Sequence, residues 1–238
     1  TDVGHPDPAD PTLYRLDDHE LAARLTFVLW NTTPDAALLD AADAGRLSTP
    51  AGLAVEVDRL LDDPRVRDAT EVFFEQYLDL PRFDRAAPDP ATYPAWNPAL
   101  HAAMRAETLL FVDDLIYRRD QDVRKLFSAR RAFVNDILAE HYGLDVPGTS
   151  PITFVPVDLP ADSERAGLLG LGAFLVMNAH AVDTSPTLRG KYVVERVLCV
   201  TVPAPPGDIE LNLSGTDEEV TTLRERLEQH RDDPACSG

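Results

Sequence analysis

The chain has 238 residues, 44% of them hydrophobic, and its 41 acidic against 22 basic side chains give a formal net charge of −19. So much negative charge repels phosphate backbones and excludes nucleic acid as a partner. No run approaches the roughly 18 to 20 continuous apolar residues of a membrane span, while the apolar content suffices for one large helical domain or two small ones.

The opening Thr1-Asp-Val-Gly-His-Pro-Asp-Pro has neither the basic nor the apolar segment of a signal peptide, as expected of a mature or excised fragment. From Asp17 to Asn31, Leu21, Ala22, Leu25, Val28 and Leu29 recur at helical spacing behind an Asp cap. Pro34-Asp35 opens a helix over Ala36 to Ala44, closed by Gly45, and Ser48-Thr49-Pro50 opens the next, to Leu61. Asp63-Pro64 repeats that device for a helix with Val66, Thr70, Phe73, Tyr77 and Leu80 on one face, which Pro81 is expected to end. After a Pro-rich loop, Ala86 to Pro98, the longest helix is predicted from Asn97 to Arg119, and a shorter one from Ala132 to Tyr142.

Gly143 to Ser163 is rich in Pro and Gly and holds one strand-like run, Ile152 to Val157, which places a boundary near 145. Beyond it come an apolar segment studded with glycine (Gly167 to Met177), a loop (Asn178 to Ser185) and a helix from Pro186 to about Leu198. The linker Val202-Pro-Ala-Pro-Pro-Gly207 leads on to a charged helix, Asp217 to Arg231. The expected architecture is all-α: a helix-rich, bundle-like protein in two packed parts, residues 1–145 and 146–238, with Pro-rich connections.

The common catalytic motifs are absent: no Gly-x-Ser-x-Gly elbow, no His-Glu-x-x-His helix and no phosphate-binding loop. Gly167-Leu-Leu-Gly170-Leu-Gly172 has its glycines in the wrong order for a dinucleotide fingerprint and reads as close packing. The six histidines lack metal-ligand spacing, so no metal is expected. Glu107 falls within the apolar stripe of the longest helix and Arg24 beside that of the first, so each needs an opposite charge where it is buried and the two could pair; an ion pair fixing helix packing is the plainer reading, a catalytic carboxylate the alternative. The densest polar cluster is His180, Asp183, Ser185, Arg189 and Lys191. Ser185 can cap the helix that Pro186 starts, and the free N–H groups with two nearby cations could hold an anion; the plainer reading is a capped helix whose arginine braces the loop. Cys199 and Cys236 allow one disulfide in an oxidising compartment, or two free thiols.

Several stretches match one family jointly and in order. Thr184-Ser-Pro-Thr-Leu-Arg-Gly-Lys-Tyr-Val-Val-Glu-Arg-Val-Leu-Cys199, the Pro-rich linker after it and His230 to Cys236 resemble a domain of unknown function in large exported planctomycete-type cytochrome c proteins. Arg24-Leu-Thr-Phe-Val-Leu-Trp30, Phe73-Phe74-Glu-Gln-Tyr-Leu78, Arg105-Ala-Glu107-Thr and Leu138-Ala-Glu-His-Tyr-Gly143 resemble the domain that precedes it there. In that family the chain continues past Cys236 to complete a Cys-x-x-Cys-His haem-attachment signature, of which Cys236 is here the first thioether donor. The resemblance implies no covalent haem in these 238 residues, haem c in a longer chain, a setting in the periplasm or cell envelope, and a redox partner or the rest of a larger cytochrome c-like protein. It leads to a helical scaffold that positions a haem segment for electron transfer. The alternatives are an envelope hydrolase or carbohydrate-acting enzyme using the 180–191 loop, or a non-catalytic binding module.

Overall fold

The computed structural model describes residues 4–119 and 121–203. A short hairpin pairs β1 (His5–Pro6) with β2 (Tyr14–Arg15) and leads into α1 (Asp18–Trp30), α2 (Ala36–Asp43), α3 (Pro50–Leu61) and α4 (Arg65–Tyr77). The starts of the first three follow from local chemistry. Asp17 accepts the Glu20 amide at 2.8 Å while Glu20 accepts the Asp17 amide at 2.9 Å, a reciprocal capping box. Asp35 caps α2, and Thr49 caps α3 ahead of Pro50.

These helices enclose a small core of Ala22, Trp30, Leu38, Ala41, Ala42, Leu47, Leu60 and Val66. The buried face of α1 is not the expected stripe: Ala22, Thr26 and Trp30 point inward while Val28 is 77% exposed. Small residues at 22 and 26 allow close helix approach, and the Thr26 hydroxyl is satisfied by the Ala22 carbonyl at 3.1 Å. Likewise α4 buries Val66, Ala69 and Phe74, leaving Phe73 outside, stacked on Tyr77. Pro81 does not merely end α4; it sits in the first turn of α5 (Leu80–Asp84), where its missing N–H costs nothing.

The second core is larger. It is built around α6 (Pro98–Asp113), which Asn97 caps through the amides of Ala99 and Leu100 and which runs into a π-helical turn at Asp114–Arg118. The helix expected over Ala132 to Tyr142 is instead a strand, β3 (Arg131–Val134), followed by α7 (Asp136–Tyr142) with Asn135 as its cap. A run of four apolar-rich residues carries too little period to separate helix from strand, and the partner decided it. That partner is β4 (Val155–Asp158), within the strand-like run and one residue beyond, antiparallel with Val134 opposite Val155. Then follow a 3-10 turn (Leu168–Gly170), α8 (Gly172–Met177), α9 (Pro186–Tyr192) and a second π-helical turn, Val193–Val197.

The molecule is thus helix-rich, with two small two-stranded sheets among the described residues. Its larger core takes Leu100, Phe111 and Leu138 from residues 1–145 and Phe174, Met177 and Tyr192 from 146–238. The glycine run contributes close packing as expected. Gly167 has φ +57°, and a Cβ there would meet the Phe127 backbone at 2.4 Å. No helix of the described residues is long and apolar enough to cross a membrane. The linker beyond Pro203, the charged helix at 217–231 and Cys236 lie outside the described residues.

Candidate functional site

Two features adjoin each other in the larger core: a groove open to solvent and, beneath it, a buried carboxyl. The groove encloses about 400 Å³ and is bounded by the Pro-rich loop at Tyr93 and Trp96, by Leu100 and Met104 of α6, by His141 at the end of α7, by Leu175 and Val176 of α8, and by His180 and Thr184 beyond it. Its walls are held from behind. Trp96 meets Phe83 and His101 edge-on, those two rings stack at 4.4 Å, and the Asp89 amide donates to the Ala181 carbonyl at 2.8 Å, tying the two loops together. The lining contains no Asp, Glu, Lys or Arg. With 26% of the chain charged, 14 random lining residues would include three or four such side chains, so the groove is distinct in character from the rest of the surface.

Under it lies Glu107, 0% exposed, on the same face of α6 as Met104. Tyr142 Oη donates to Glu107 Oε2 at 2.6 Å and accepts the Gly172 amide at 3.2 Å. The Arg165 guanidinium lies over the Tyr142 ring, 3.9 Å from its centroid, and donates to the Gly170 carbonyl at 3.0 Å. Burial pushes the Glu107 carboxyl up to about 7, outweighing the Tyr142 hydrogen bond, the Arg165 charge and the Phe133 amide, all of which favour its ionised form. Burial and the neighbouring carboxylate push the Tyr142 phenol far above its ordinary value, so it stays a donor. Burial, then Arg165, holds His141 below the usual imidazole range, which keeps it neutral at pH 7. Gly172 lets these side chains close in, since a Cβ would lie 2.8 Å from Tyr142 Oη and 2.9 Å from the Met104 thioether and one of them would have to shift.

The expected pair between Arg24 and Glu107 does not form. Arg24 is exposed on α1, in the small core's bundle, whereas Glu107 belongs to the larger core and is served by Tyr142 and Arg165. Neither partner could be read from spacing, because they lie 35 and 58 residues further along the chain. The 180–191 cluster is only partly brought together. His180 lines the groove and its amide bonds the Asp183 carbonyl at 2.8 Å; Asp183 Oδ1 accepts the Thr184 amide. Ser185 is buried and accepts the Leu188 amide at 3.3 Å, which makes it the cap of α9. Arg189 and Lys191 are not among the groove's lining residues; Lys191 lies 3.8 Å from Glu195. Cys199 is exposed with φ +54°. No group of three or more His, Cys, Asp or Glu among the described residues could hold a metal ion.

Comparison with known families assigns the two halves. Residues 16–144 match the family model PSD4, described as a protein of unknown function (DUF1592), and residues 165–238 match PSCyt3, a protein of unknown function (DUF1588). The first match alone covers more than half of the chain, so the chain belongs to the DUF1592 family, joined to a DUF1588 domain in the pairing of planctomycete cytochrome c-type proteins. No curated protein and no solved structure matches it.

Proposed function

We propose that this chain is the helical scaffold of an exported, cell-envelope redox protein, and that its groove seats a haem-bearing segment for electron transfer. The observation that carries this reading is the aromatic, charge-free groove on a chain of net charge −19. A porphyrin face is planar and apolar; Trp96, Leu100, Met104 and Leu175 offer it contact, and the volume falls in the range of small-molecule sites. Of the attachment signature the sequence holds one thioether donor, Cys236, so covalent haem belongs to a chain that continues through Cys and His. Haem, when bound, would supply one-electron exchange at its iron; Trp96 and Tyr93 would line its seat, and the Phe83 and His101 stack keeps Trp96 in place.

The test is to express the chain extended by about fifty residues through Cys-x-x-Cys-His, with haem-maturation machinery, and to record its absorption spectrum. Haem resistant to acid-acetone extraction is expected in the extended chain and not in the 238-residue chain, and Trp96→Ala should shift the haem's absorption and midpoint potential. An extended chain that takes no haem, or one whose spectrum and potential ignore Trp96, overturns the reading.

A further inference from the structure

A fully buried carboxyl that accepts the Tyr142 hydroxyl, one helical turn along α6 from the groove residue Met104, is placed to answer charge in that groove. We propose that Glu107 is a proton-binding site that takes up a proton when negative charge enters the groove above it, an inference that rests on the groove being the seat of a charged redox group.

The connection is physical at each step. Met104 forms part of the groove's floor and abuts Gly172; the Gly172 amide bonds Tyr142 Oη, and that hydroxyl bonds Glu107. Every neighbouring element presents a defined group to the carboxyl. From α7 comes the Tyr142 hydroxyl, too weak an acid to release its own proton; from the loop before α8 comes the Arg165 cation; from β3 comes the Phe133 amide. Tyr142 serves Oε2, whereas Oε1 is buried and makes no hydrogen bond of good geometry, so a proton on the carboxyl need not displace the Tyr142 contact. With Glu107 balanced near neutrality, a modest change in potential moves it from mostly ionised to mostly protonated. A unit negative charge roughly 10 Å away in an effective dielectric near 20 raises proton affinity on the order of tenfold. Reduction of a group seated in the groove would thus be accompanied by uptake of a proton at the Glu107 carboxyl, with the electron supplied by an external one-electron donor.

The first measurement needs no haem. Infrared difference spectra of the 238-residue chain between pH 5 and 9 should show the carbonyl band of a buried protonated carboxyl that titrates near neutrality and is lost in Glu107→Gln. Placing a fixed negative charge at the rim with His180→Glu should move that midpoint upward, by up to about one pH unit. A carboxylate already ionised at pH 5, still protonated at pH 9, or unmoved by His180→Glu overturns the proposal. In the haem-bearing longer chain the midpoint potential should fall with rising pH through neutrality, and Glu107→Gln should flatten that slope; equal slopes overturn the coupling. If the longer chain binds no haem, the reading of the groove fails while the infrared titration still decides the proton site.

Discussion

The two cores differ in how far they draw charged groups inside. Around the small core the charges stand at the perimeter. Asp35 receives both Arg59 nitrogens at 2.8 and 3.1 Å, Glu56 takes the same arginine, and Arg65, paired with Asp63, lies with its guanidinium 3.4 Å from the Trp30 ring centroid. Glu56 is only 8% exposed, but Asp35, Arg59, Asp63 and Arg65 keep a quarter or more of their side chains in water, where screening leaves each pair contributing little alone. The larger core takes Glu107, Asn135, Asn178 and Asp114 inside, where stability depends on each having its partner. Glu107 stands apart from all of these charges in being fully buried on the face of α6 that also carries the groove residue Met104.

The strongest test of that separation is Trp30→Ala. Trp30 is 4% exposed, donates to the Leu60 carbonyl at 2.9 Å and is the largest side chain of its core. Its loss should cost about 3–5 kcal/mol. Thermal unfolding should begin earlier, and amide exchange should accelerate in α1 to α3 while α6 and α7 stay protected. Equal acceleration in both regions would show that the two cores unfold as one unit.

The second test uses pH, to which the regions respond with opposite sign. Burial raises the folded pKa of Glu107 to about 7, so its contribution is complete below the unfolded value near 4.5 and is lost as pH rises to 7, amounting to about 3 kcal/mol. Arg59 holds Asp35 below its ordinary value, so that contribution is present above about 4 and is lost as pH falls further. Urea midpoints measured from pH 3 to 8 should therefore decline at both ends. Glu107→Gln should flatten the decline above pH 4.5 and leave the acid limb alone. A wild-type curve flat from pH 5 to 8 would mean that Glu107 is ionised throughout.

Between those effects and the surface stands Gly172→Ala. The added methyl would strike Tyr142 Oη and the Met104 thioether, and overpacking of this kind costs about 1–3 kcal/mol. Because the displaced hydroxyl is the one that serves Glu107, the variant should also shift the carboxyl's infrared midpoint. A loss of stability with no such shift would separate packing from the proton site.

What could be read from sequence follows the same division. The starts of α1, α2, α3 and α6 were legible because Asp17, Asp35, Thr49 and Asn97 act on amides two or three residues away. The glycine run was legible as close packing because bulk is a local property. The inward faces of α1 and α4 were not, since Thr26 and Ala69 are buried by what packs on them rather than by their own hydrophobicity. β3 is not legible as a strand because its partner lies across more than twenty residues. At the site, His180 and Glu107 were singled out as residues, but the groove and the Tyr142 contact depend on α6, α7 and α8 converging, which no local pattern encodes.

The smallest expected effect belongs to Arg189. The sequence offers it two roles, a brace for the loop in the plainer reading or a cation for an anion site, yet its side chain makes no hydrogen bond or ion pair among the described residues, and it does not line the groove. Ser185, the residue it would assist, is already engaged as a cap. Arg189→Glu should therefore change stability by no more than about 0.5 kcal/mol, as for other surface positions without a specific partner. It should also leave the Glu107 infrared midpoint in place, because the new charge would sit outside the groove and be screened by water. His180→Glu, only nine positions earlier in the same segment, is expected to move that midpoint. If the two substitutions act alike, the groove does not focus charge onto Glu107, and the carboxyl responds only to the overall charge of an acidic protein.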